Sequence, residues 1–129
     1  MYQFEKLDIW EIALDLIEQV YELTKKFPDE EKFGLTNQLR RSVVSIALNI
    51  AEGRGAGTDT EFKRFLRISL RSSFETIAGF KIAIRLRYLT GDDCKNLFAK
   101  ADEIGAKINS LINYLKKKTT KDKRLETNL

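Results

Sequence analysis

FPDEEKFGLTNQLRRSVVSIALNIAEG, residues 27–53, ends one helix and builds the next. Pro28 has no amide hydrogen and disfavours helical backbone in the residue before it, so a helix arriving at Phe27 stops there. Beyond the acids that follow, Leu39, Val43, Ile46 and Ile50 recur every three or four residues and form one apolar stripe. Gln38, Arg41, Ser45, Asn49 and Glu52 fall on the opposite side. This spacing predicts a helix over 35–52, with Thr36 as a candidate N-cap. Gly53, Gly55 and Gly57 then mark a short flexible loop.

Outward from this stretch the same period recurs. Over 7–27, Ile9, Ala13, Leu16, Val20, Leu23 and Phe27 make one stripe, and Trp10, Leu14, Ile17 and Tyr21 a second beside it. A third helix is expected from Thr58 or Asp59 to residue 89, with Phe62, Leu66, Ser69, Ser73, Ile77, Phe80 and Ile84 inward and Phe65, Ile68, Ala83 and Leu86 as a second flank. A fourth, over 92–117, carries Leu97, Ala101, Ile104, Ile108, Leu111 and Leu115. Residues 118–129 are polar, Lys-rich and aperiodic, and are expected to be a disordered tail. The expected fold is all-α: one domain over 1–117, an up-down-up-down four-helix bundle. The first and third helices carry more apolar surface than one core uses, so a homo-oligomer is expected.

Composition narrows the function. The sequence contains no histidine, which removes the usual neutral-pH base and the commonest metal ligand. Cys94 is the single cysteine; near a helix start its pKa could fall, but without a histidine partner it reads as structural. It forms no internal disulfide, which suits a cytoplasmic protein. The glycines of GRGAG lack the phosphate-loop pattern. No apolar run approaches the roughly 18 residues of a membrane span, and MYQFEKLDIW does not read as a signal peptide. The expectation is a non-enzymatic protein with no catalytic, cofactor or metal site and no membrane contact.

Charge is unevenly placed. Residues 1–34 hold four basic and nine acidic side chains, whereas 60–89 hold seven basic and two acidic. At 100° per residue, Lys63, Arg64, Arg67, Arg71, Lys81 and Arg85 share an arc of about 100° on the third helix, with Phe74 inside it. Such an arc can contact phosphates, and an exposed Phe can stack on a base. The pattern also fits a solvated face, or one neutralised by the acidic first helix of a neighbouring subunit. Arg40, Arg41, Arg54 and the tail lysines add positive charge.

The segment 27–53, above all its GLTNQLRRS and NIAEG elements, resembles the 23S rRNA intervening-sequence proteins, a family that also includes the accessory variability determinants of diversity-generating retroelements. FEKLDIW at 4–10, Val20-Tyr21, Glu61-Phe62, Arg64-Phe65-Leu66, Ser72 and Glu75 fit the same pattern, so the resemblance covers about residues 4–90. Gln38, Arg40, Arg41, Ser45, Asn49, Glu52 and Gly53 match its signature. Ala47-Leu48 stands where members often carry Pro-Ser, and Arg71-Ser72-Ser73 where they carry Gly-Ser-Leu. The resemblance implies a barrel-like homopentamer with a basic, nucleic-acid-binding surface and no enzymatic activity; for the accessory determinants it also implies a reverse transcriptase as partner. Two functions therefore stand: a sequence-tolerant binder of structured RNA or RNA/DNA, through Arg40, Lys63, Arg64, Arg67, Arg71, Phe74, Lys81 and Arg85, or a protein-interaction scaffold.

Overall fold

The structure, a computed structural model, describes residues 1–127, with side chains described for 1–118. Four helices account for most of it: α1 (Asp8–Thr24), α2 (Leu35–Arg54), α3 (Asp59–Arg85) and α4 (Lys95–Thr127), with short 3-10 turns at Gln3–Lys6 and Asp29–Glu31. No strand occurs among the described residues. α4 passes the end expected at 117; the side chains of the expected tail, apart from Lys118, and the whole of 128 and 129 lie outside the described residues.

Cross-helix contacts fix the topology. Asp8 meets Lys107 at 2.6 Å and Asp15 meets Lys100 at 3.6 Å, so α1 and α4 are antiparallel. Ser42 bonds Thr76 and Ser45 bonds Ser72, so α2 and α3 are antiparallel. Lys118–Asp59 and Lys81 over Phe98 do the same for α3 and α4. α1 and α3 therefore run parallel. They occupy diagonal corners, since each packs on α2 and α4 and not on the other. This is the expected up-down-up-down bundle.

The core follows the apolar period closely. Leu16, Val20, Val43, Ile46, Ile50, Leu66, Phe80, Leu97, Ile104 and Ile108 are fully buried. Part of the second α1 stripe is covered internally: Trp10 takes Phe4 edge-on at 4.7 Å, and Tyr21 lies under Arg40. In α3, Ile77 and Ile84 are only half-buried, while Thr76, Gly79 and Ala83 hold the core positions. Small and hydroxylated residues serve there because α2 and α3 approach closely. Thr76 Oγ1 and Ser42 Oγ each lie within hydrogen-bond reach of a carbonyl in their own helix and of each other. Ser69 Oγ donates to the Ile46 carbonyl across the interface at 2.9 Å. These bonds remove the desolvation cost of burying the hydroxyls.

Several expected boundaries move: α1 ends at Thr24 and not at 27, α4 begins at Lys95 and not at 92, and three further differences have a local reason. The N-cap of α2 is Gly34, not Thr36; the Leu35 amide donates to the Glu31 carboxylate at 3.3 Å. Gly53 is not in the loop. It is buried in the last turn of α2, where a Cβ would come within 2.8 Å of Phe65 Cβ. α3 begins as expected, with Thr58 Oγ1 accepting from the Glu61 amide, but ends at Arg85 instead of 89. Its end is a Schellman turn: the Tyr88 amide donates to Ala83 and the Arg87 amide to Ile84, with Arg87 left-handed at φ 66. A side chain in that conformation costs about 1–2 kcal/mol. Arg87→Gly is therefore expected to raise the thermal midpoint by a few degrees, the relieved strain outweighing the added unfolded-state entropy. A lowered midpoint would show that Arg87 contributes a contact worth more than its strain.

Candidate nucleic-acid interface

The α3 arc exists on the surface, but its members are not equivalent. Arg64, Arg67, Arg71, Phe74, Lys81 and Arg85 are exposed and Lys63 is half-buried. Arg64 is tied to Glu61, donating to its carboxylate at 2.9 and 3.1 Å, and stacks on Phe65. Lys81 lies over the Phe98 ring at 4.4 Å. Lys63, Arg67, Arg71 and Arg85 make no ion pair or hydrogen bond among the described residues. Exposed pairs such as Arg64–Glu61 are screened by solvent and contribute little, so a phosphate can compete for that guanidinium.

Folding also adds charge that helix periodicity could not place. Lys118 meets Asp59 at 3.4 Å, which brings the exposed Lys116 and Lys117 of α4 beside the start of α3. Arg54, exposed at the end of α2, is at the same end of the bundle. The positive charge is thus densest around Lys63, Arg64 and Arg67. Arg40 stands apart. Its Nε donates to Thr24 Oγ1 at 2.9 Å, a second nitrogen reaches the Tyr21 carbonyl at 3.4 Å, and the guanidinium stacks on the Tyr21 ring. It clamps α1 to α2.

The remaining signature residues line two open grooves on the outer side of α2. One, of about 510 Å³, includes Phe33, Gln38, Arg41, Ser45, Ser72 and Glu75; the other, of about 540 Å³, includes Tyr21, Val44, Leu48, Asn49 and Glu52. Ser45 Oγ accepts from Asn49 Nδ2 and from Ser72 Oγ, both at 3.0 Å, so its own proton remains available to the groove. Arg41 and Glu52 are exposed and make no ion pair among the described residues. At the other end, Cys94 is buried. Burial, reinforced by the Asp93 carboxylate, pushes its thiol above the ordinary range, against the lowering that a helix start alone could bring. No helix among the described residues is long and apolar enough to cross a membrane.

A family model, the 23S rRNA-intervening sequence protein, matches residues 5–110. A crystal structure from Bacteroides thetaiotaomicron, described as a protein with unknown function from the S23 ribosomal protein family, matches with a TM-score of 0.75 at 27% sequence identity. The match covers 81% of this chain and 95% of that one. No curated protein matches the sequence.

Proposed function

Because this chain belongs to the 23S rRNA-intervening sequence protein family, we propose that it is a non-enzymatic, homo-oligomeric protein of the cytoplasm that binds nucleic acid through the basic end of α3. The observation that carries this reading is the convergence of Lys63, Arg64 and Arg67 with the lysine-rich stretch of α4 at one end of the bundle. Phosphates are the natural ligands of such a cluster, because each contact releases condensed counterions. Binding is expected to tolerate sequence, since an open surface cluster of cations reaches the phosphates of any sequence. Structured RNA or an RNA/DNA hybrid fits a sequence-tolerant surface of this kind. One subunit offers few contacts; a ring of subunits, five by the family's pattern, multiplies them through effective concentration.

The test is fluorescence anisotropy with a structured RNA and with duplex DNA over a series of salt concentrations. The logarithm of the affinity is expected to fall linearly with the logarithm of salt, by roughly 0.9 per phosphate contact on duplex. Little dependence on base sequence should accompany it. No binding at low salt would favour the competing reading, a protein scaffold whose partner, such as a reverse transcriptase, uses the exposed Phe33 and Leu48 beside the α2 grooves.

A further inference from the structure

We propose that the exposed Phe74–Ala78–Ile82 stripe of α3 docks on the Leu14–Tyr21 line of α1 in a second copy of this chain, with Arg71 of the one facing Glu11 and Glu18 of the other. This rests on the assembly reading above and names the surfaces that would build it. Phe74 and Ile82 are 59% and 51% exposed. Four-residue spacing puts them and Ala78 on one line, the geometry of a helix seam. Arg71 borders the start of that line and makes no ion pair among the described residues. On α1, Leu14 is half-buried but outside the packed core, and Tyr21 is 37% exposed. Glu11 and Glu18 alternate with them at three- and four-residue steps, exposed and without an ion pair among the described residues.

Direction and height agree. α1 and α3 run parallel at diagonal corners of the bundle. A copy generated by rotation about an axis along the bundle therefore brings α1 alongside α3 in the same sense. Tyr21 stacks on Arg40, and the adjacent Leu39 abuts Gly79, so Tyr21 stands level with Ala78. Such a rotation keeps these heights, laying Tyr21 of the second copy on the Ala78–Ile82 stretch and placing its Glu11 and Glu18 just below and just above the level of Arg71. The two surfaces differ, so the contact is head-to-tail and repeats until a ring closes. Lys63, Arg64 and Arg67 are left on the part of α3 before the stripe, open to nucleic acid.

Light scattering behind size exclusion tests this on the full chain. Wild type is expected to elute as a multimer. Arg71→Glu, and separately Glu11→Arg with Glu18→Arg, are expected to weaken assembly by at least about 10-fold, because like charges then face each other. All three changes in one chain should restore the multimer, which a merely structural defect would not do. Ile82→Asp should dissociate it without any charge pairing, and circular dichroism should stay helical throughout. A wild-type monomer would remove the assembly reading and this docking with it. A multimer that survives both reversals, or a triple variant that stays dissociated, would overturn the docking surface and leave assembly standing through another face.

Discussion

Gly79→Leu is expected to cost the fold about 3 kcal/mol, near the upper end for overpacking a core. Gly79 is buried in the middle of α3, and a Cβ built there would overlap Leu39 Cδ2 and stand 3.0 Å from Leu39 Cγ. Leu39 is 1% exposed and enclosed by the core, so it has no free rotamer into which to retreat. Leucine is the better helix former by about 0.8 kcal/mol, and the clash must exceed that gain. The thermal midpoint should fall by roughly 10 °C. Leu39→Ala alone should cost about 2–5 kcal/mol through the cavity it leaves. Combined, the two changes exchange volume across one contact, so their joint cost should be clearly less than the sum. Strict additivity in chemical denaturation would show that α2 and α3 do not meet at this point.

That contact also marks where the sequence was legible and where it was not. Large aliphatic residues at 3.6-residue spacing announce themselves, so Leu16, Val43, Ile46, Leu97 and Ile104 are buried where their period places them. Close helix approach is made in large part by residues that a hydrophobic pattern passes over: Ser42, Gly53, Thr76 and Gly79. The available signal was the cost of a glycine inside a helix, about 1 kcal/mol relative to alanine, which needs a packing reason. The end of α3 was hidden because Arg87 does the work usually given to glycine.

The basic arc was legible as an arc, since helix geometry alone puts its side chains on one face. Its division was not. Neither the clamp that holds Arg40 between Thr24 and Tyr21, nor the approach of Lys118 to Asp59, follows from spacing along a single helix. Likewise Gln38, Arg41 and Glu52 could be placed opposite the α2 core, but the grooves they line depend on α1 and α3.

The largest functional effect is expected from reversing the charge where it is densest. Lys63→Glu, Arg64→Glu and Arg67→Glu, combined in one chain, replace three cations with three anions on exposed or half-buried positions. Stability should change little, because Lys63 and Arg67 have no ion pair among the described residues and the Arg64–Glu61 pair is solvent-exposed. Nucleic-acid affinity should fall by more than about 100-fold at low salt, since each lost phosphate contact forfeits its counterion release and each new carboxylate repels the backbone. The remaining salt slope should shrink in proportion. Anisotropy titration of this triple variant against wild type, on the same structured RNA with assembly mass and helicity held equal, tests the account most directly. The account predicts abolished binding by an intact, equally assembled protein; undiminished binding by that variant would contradict it.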